Sequence, residues 1–243
     1  MIKRLISFKK PSLTLAFSTL ALSGILGLSS CLDDIENPDL PPTAYVSVYQ
    51  GSPDAPELDI YADANRINNQ ALDFAEALAY SPFYVGERQF KVTAFDAASS
   101  LLEKEFRLGA DTVYSLFILN KVANLDAILV EDDWDEPNAE EAQVRLVHLS
   151  PDTEEVYVKI SDSEDRLSTD VAFGENSGFS DIATDIYDIE VISVDTEEVL
   201  VSATDVELKG NRVYTFILRG LTETEDEDMK LDLQLLTNYV NYQ

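Results

Sequence analysis

The sequence predicts an all-β chain in which two tandem immunoglobulin-like or Greek-key β-sandwich domains follow a signal peptide. Three observations lead there. A pattern of roughly 95 residues, an ordinary size for a sandwich domain, occurs twice. Within each occurrence, short runs alternate apolar and polar residues and are separated by Pro, Gly, Asn and Asp turns. The first thirty residues have the three zones of an export signal.

In that signal, Lys3, Arg4, Lys9 and Lys10 form a basic start and no acid interrupts the apolar run from Leu13 to Leu28. The run is rich in Ser, Thr and Gly and falls short of the about 20 mostly apolar residues that span a bilayer, so cleavage is preferred to a permanent membrane helix. It ends on Leu28, Ser29, Ser30 and Cys31, the only cysteine of the chain. These four residues resemble the lipobox of bacterial lipoproteins, which implies cleavage after residue 30 and lipidation of Cys31. The membrane is then a partner through lipid on Cys31, and the two or three acyl chains of such an anchor hold stably where one would not. With Cys31 committed, no disulfide is available, and packing alone must stabilise the exported domains.

Residues 31–42 read as an acidic tether, 43–130 as the first sandwich, 131–141 as an acidic linker and 142–243 as the second sandwich. The whole chain has a formal net charge of −29. Removing the signal takes away four basic residues and no acid, so the exported part is more acidic still. Such a charge repels phosphate backbones, and nucleic acid is not an expected partner. It suits solubility, a solvated surface in salty water, or a weak association with divalent cations. The runs Glu131–Glu136 and Glu223–Asp228 lack the Asp-x-Asp-x-Asp-Gly spacing that wraps an ion and read as linker and loop, so neither a metal site nor a cofactor is expected.

The duplication is visible residue by residue. Ala44–Asp54 (AYVSVYQGSPD) is answered by Ala142–Asp152 (AQVRLVHLSPD), Phe74–Glu76 by Phe173–Glu175, Val92–Asp96 by Val191–Asp195, and Val113–Ile118 by Val213–Leu218. Strands are predicted near Tyr45–Gln50, Leu58–Tyr61, Gln89–Phe95, Leu101–Arg107, Thr112–Leu119 and Ala127–Val130, with the same scheme repeated and closed by Leu231–Leu236. Gln70–Leu78 is the best helical candidate, though it has no full amphipathic face.

The repeated Ser52, Pro53, Asp54 and Ser150, Pro151, Asp152 form a structural motif. Proline pushes the residue before it out of the helical region and sets the turn, while Ser and Asp bond nearby backbone. Tyr114 and Tyr214 resemble the corner tyrosines of immunoglobulin-like sandwiches, whose hydroxyl ties back to upstream backbone.

Val144–Asp152, the strand at Val156–Val158 and Gly210–Thr215 together resemble the domain-of-unknown-function family 4397, with a looser version in the first domain. The resemblance implies bacterial envelope or surface proteins built of β-sandwiches, and it implies no activity. The acids after the cysteine, Asp33, Asp34 and Glu36, resemble the signals that send Bacteroidota lipoproteins to the outside of the outer membrane. Outer-membrane anchoring at the cell surface is therefore expected, with the periplasmic face as the alternative.

His148, Ser150 and Asp152 contain the residue types of a hydrolase triad. On one extended segment, side chains two residues apart stand about 6–7 Å from each other, too far for a base to reach its nucleophile. The matched position in the first domain is Gln50, which cannot act as a base. Both side chains fall on the apolar face, where a polar group bonds loop backbone at the core's edge. No catalytic residue is assigned. The chain reads as a non-enzyme, a carboxylate-based hydrolase being the remaining enzymatic reading.

For binding, Tyr45, Tyr49 and Tyr61 lie on strand faces opposite the apolar set Val46, Val48, Leu58 and Ile60. If those strands are neighbours, three rings line one solvated face that can stack on an extracellular glycan or a protein partner. The alternative is that the rings cover the sheet or the other domain. The expected function is a surface-exposed binding or adhesion module, against a structural or accessory lipoprotein with no ligand of its own.

Overall fold

The structure is a computed structural model and describes residues 41–242. The segment read as an export signal, Cys31, and the segment read as a tether up to residue 40 lie outside the described residues. Apart from two single-turn 3₁₀ segments, all regular structure among the described residues is β, as the sequence predicts.

The first eight strands are β1 (Thr43–Gln50), β2 (Leu58–Ala62), β3 (Asn65–Arg66), β4 (Ala77–Tyr84), β5 (Gly86–Ala94), β6 (Ser100–Leu108), β7 (Val113–Leu119) and β8 (Asp126–Glu131). They form two four-stranded sheets, ordered β4-β1-β7-β8 and β3-β2-β5-β6. Only β1 and β7 pair in parallel, in the register Tyr45 to Val113 through Gln50 to Ile118. The chain crosses between the sheets repeatedly, so consecutive strands sandwich one core. Ala44, Val46 and Val48 of β1 meet Leu58 and Ile60 of β2, Phe90 and Val92 of β5, and Leu116 and Ile118 of β7.

The remaining strands are β9 (Glu141–His148), β10 (Val156–Ile160), β11 (Ser180–Ala183), β12 (Asp185–Ser193), β13 (Val199–Leu208), β14 (Arg212–Arg219) and β15 (Asp232–Val240). Their sheets are ordered β11-β9-β14-β15 and β10-β12-β13, with β9 and β14 again the parallel pair. Ala142, Val144 and Leu146 of β9 face Val156, Val158, Ile189 and Val191 across a second core.

A third core lies between the two sandwiches. Tyr49, Phe117 and Leu119 on the outer face of the first sandwich pack with Val147, Leu149 and Ile217 of the second. The sheets containing β1 and β9 are therefore covered on both faces. This explains why β7 and β14 read as near-continuous apolar runs rather than clean alternations.

Two expectations are corrected here. Gln70–Leu78 forms no helix: Leu72 exchanges backbone hydrogen bonds with Leu58, Ala75 takes a left-handed φ of 64°, and from Ala77 the chain enters the edge strand β4. Helix-forming Ala and Glu before a mid-strand Pro82 masked this strand, and proline is tolerated there because the edge needs no second ladder. The stretch Glu131–Glu141 is not a free polar linker either. Its ends belong to β8 and β9, Asp132 is buried, and Trp134 is wedged among three rings.

Candidate functional site

The three-tyrosine platform does not assemble. Tyr45 and Tyr49 are on β1 and Tyr61 is on β2, in the opposing sheet, so their outward faces point away from each other. Tyr49 is 1% exposed, lies 6.0 Å from the Phe117 ring, and donates its hydroxyl to Gln234 Oε1 of the second sandwich at 2.7 Å. Burial pushes its phenol well above the ordinary range. Tyr61 lies beneath Lys91, whose Nζ stands 4.3 Å from the ring centroid. Of the three, Tyr45 alone is exposed, at 45%.

The repeated turn motif has an anchoring role wider than its own backbone. The Asp54 carboxylate accepts from Val122 N at 2.7 Å, and Asp152 accepts from Thr222 N at 3.1 Å. Each aspartate thus holds the loop that follows the parallel partner strand. Gln50 and His148 do matching work behind it. Gln50 Oε1 accepts from Ser52 N at 2.7 Å and its Nε2 donates to Ser52 O at 3.1 Å. His148 Nδ1 accepts from Ser150 N at 3.3 Å, which leaves Nε2–H to donate to Glu154 O at 3.0 Å.

Both imidazole nitrogens are thereby taken by backbone, and burial holds the ring below its ordinary pKa. Ser150 Oγ bonds Asp152 and Thr153 rather than the imidazole. The triad residue types do not form a proton relay. Tyr114 and Tyr214 accept from Gly109 N and Lys209 N, each at 3.2 Å, the corner tie expected from the sequence.

A buried polar clamp joins the sandwiches, and the sequence reading missed it. Arg145 of β9 and Asp132, just past β8, pair at 2.5 Å with side chains 1% and 0% exposed. Asp132 also accepts from the hydroxyls of Tyr80 at 2.7 Å and Ser115 at 2.8 Å. Arg145 Nε donates to Thr215 Oγ1 at 3.0 Å, and its guanidinium stands 4.5 Å from the Phe179 ring centroid. Trp134 closes the clamp, stacked on Tyr239 and edge-on to Tyr80 and Phe179. Two signals were available: an arginine between Val144 and Leu146, and the only tryptophan of the chain inside an acidic run.

The candidate ligand site is a cleft of about 390 Å³ at the open seam of the first sandwich, between the free edges of β3 and β4. Ala62, Ile67, Pro82 and Phe83 supply its apolar wall, and Tyr84, 63% exposed, forms the lip. Thr43 pairs with Tyr84 and Tyr45 with Pro82 across β1 and β4, which sets Tyr45 and Tyr84 on one sheet face as diagonal neighbours about 7–8 Å apart. Asp63, Asn65, Arg88 and Thr43 add polar groups.

The corresponding seam of the second sandwich differs. Its aromatic, Phe179, is engaged by Trp134 and Arg145, and its Arg166 lies 3.6 Å over Tyr157 and pairs with Asp170. An exposed ring therefore lines the first seam and not the second. Among the described residues, no three His, Cys, Asp or Glu side chains converge as a metal site.

Residues 44–159 match the model of the family described as "Domain of unknown function (DUF4397)", from within β1 into β10. No curated protein matches the chain. Among solved structures, the chain is similar to a candidate cell adhesion protein from Parabacteroides distasonis ATCC 8503. That likeness has 7% identity, a TM-score of 0.21, and coverage of 82% of this chain and 100% of the other, and it is too loose to carry an argument.

Proposed function

We propose, from the match of residues 44–159 to the model of the DUF4397 family, that the chain is a non-enzymatic cell-envelope lipoprotein. In this reading Cys31 carries the lipid, the acidic tether holds the sandwiches off the outer membrane at the cell surface, and the first sandwich binds a glycan or a protein. The two sandwiches are two copies of one unit, only the first of which presents a site. The observation that carries the binding role is the seam cleft, where an exposed tyrosine flanks an apolar wall and free polar groups. Concave, largely apolar clefts with a few polar groups are the usual form of ligand sites. The non-enzymatic reading is supported by His148 and Ser150, whose polar atoms are spent on the turn.

Three measurements test it. Palmitate labelling in cells is expected to disappear in Cys31→Ala. Protease treatment of intact cells is expected to degrade the protein, and full protection would put it on the periplasmic face. Retention on immobilised envelope polysaccharides or surface proteins is expected for the full chain and weakened by Tyr84→Ala and Tyr45→Ala.

A second reading, an accessory lipoprotein with no ligand of its own, draws on the clamp, since a rigid pair of sandwiches serves as a spacer. Retention of nothing by the full chain would favour it.

A further inference from the structure

We infer that the seam cleft takes an uncharged pyranose sugar, its apolar face on Tyr84 and its hydroxyls on Asn65, Asp63 and Thr43. This rests on the binding-module reading and narrows it to one site and one ligand class.

The cleft is defined by the groups it still has to offer. Arg88 is the cation in its lining, but its guanidinium is occupied. Nε donates to Tyr84 O at 2.9 Å, Nη1 to Glu87 O at 2.9 Å and Nη2 to Val85 O at 3.0 Å, while Nη1 also faces Asp63 Oδ2 at 3.7 Å. A guanidinium has five N–H groups, and recognition of a carboxylate or phosphate requires two of them side by side. Arg88 ties the β4–β5 turn instead and has no such pair to present.

The groups that remain are neutral or negative. The Asn65 carboxamide and the Thr43 and Tyr84 hydroxyls make no hydrogen bond within the described residues, and Asp63 is half exposed with one oxygen accepting from Gln89 N. In a chain of net charge −29, an anionic ligand would meet Asp63 with no free cation to offset it. A pyranose fits the remaining set. One side of the ring presents C–H groups to the flat, exposed face of Tyr84, and its hydroxyls both donate and accept, as Asn65 and Thr43 do. The cleft volume of about 390 Å³ falls in the range of small-ligand sites.

The test uses the detergent-purified full chain and saturation-transfer NMR with tetrasaccharides of mannose, glucose and galactose, with tetragalacturonate as the acidic counterpart of the last. Saturation is expected on ring protons of at least one neutral sugar. Affinity is expected to fall about 10-fold in Tyr84→Ala and about 5-fold in Asn65→Ala, and to be unchanged in Ile186→Ala, which removes an exposed apolar side chain from the second sandwich. Tetragalacturonate is expected to bind at least 10-fold more weakly than tetragalactose. Trp134 fluorescence verifies that each variant is folded.

Equal or tighter binding of tetragalacturonate, no binding of any neutral sugar, or wild-type affinity in both cleft variants overturns the assignment. If the full chain is still retained by an envelope polysaccharide or protein while the cleft variants change nothing, the assignment fails and the binding-module reading stands. If nothing is retained at all, the module reading fails with it.

Discussion

Replacing Asp132 with asparagine keeps the shape of the clamp and removes its negative charge. The structure makes the consequence large, because both partners of the ion pair are essentially without solvent access. Arg145 would be left as an uncompensated charge between two sandwiches, and breaking a buried pair in this way costs about 3–5 kcal/mol. Tyr80 and Ser115 both donate to Oδ2 while Arg145 meets Oδ1, so the amide either turns its NH2 against the guanidinium or withdraws the acceptor from the two hydroxyls, at about 1 kcal/mol more. At a urea dependence of about 2–3 kcal/mol per molar, the unfolding midpoint should fall by more than about 1 M.

The natural probe is Trp134, the only tryptophan of the chain, stacked on Tyr239 at the clamp. Its emission should shift to the red as the sandwiches part. Arg145→Met should be similarly destabilising, because it strands the carboxylate. The double variant Asp132→Leu with Arg145→Met should cost less than the sum of the singles, since no buried charge remains. The midpoint shift should also be nearly the same in low and high salt, as screening reaches exposed pairs and not this one. A loss below about 1 kcal/mol in both singles, additive in the double and erased by salt, would mean that the pair is solvated and the sandwiches are not clamped.

Three further outcomes rest on named atoms. Burial depresses the His148 pKa, so below about pH 6.5 the unfolded chain takes up a proton that the folded chain refuses, and stability falls from there toward the lower, folded value. His148→Gln, which borrows the side chain that Gln50 uses for the same turn, should flatten urea midpoints between pH 6.5 and 5.5 and change the pH 8 value by less than about 1 kcal/mol; an unchanged slope would assign the pH dependence to other groups. Ala75 holds a left-handed φ of 64° where the matched Gly174 sits at 79°, so Ala75→Gly should stabilise by about 0.5–1 kcal/mol in the same assay, and a loss of stability would contradict strain at this turn. Gly210→Ala would place a Cβ on the Ala139 carbonyl and should destabilise by about 1–3 kcal/mol, with the Trp134 environment altered; no change would show that segment 132–139 yields freely.

Much of the fold could be read in the sequence because strand alternation reports on the chain's own neighbours. Val46, Val48, Val144 and Leu146 share a face in any strand, and all point inward. The corner ties of Tyr114 and Tyr214 and the turn-binding role of Gln50 and His148 were accessible for the same reason, since each partner lies within about six residues. What alternation cannot report is what the opposite face meets. Alternation alone leaves Tyr49 open to a solvated platform or to covering the other domain, and it is the second that the structure shows, while Tyr61 sits in a different sheet. The clamp was hidden by composition: Asp132 sits in an acidic run whose other members are exposed or half-exposed, and net charge over a window says nothing about one buried member. The seam cleft escaped because it lies between β3, only two residues long, and β4, whose Pro82 argued against a strand.

The clamp also gives the chain a direction. The two central strands face one another through matched registers, in which Ser47 lies beside Ser115 and Arg145 beside Thr215. One partner brings the cation, and the segment that leaves the other brings the anion. Arg145 reaches Ser115 and Asp132 of the first sandwich, whereas the matched position of the first sandwich, Ser47, carries no charge and bonds Leu78 O within its own sheet. Neither half can stand in for the other, and exchanging their order would undo the joint. The surface between the two sandwiches is a lock and key, in which a change on one side needs a matching change on the other.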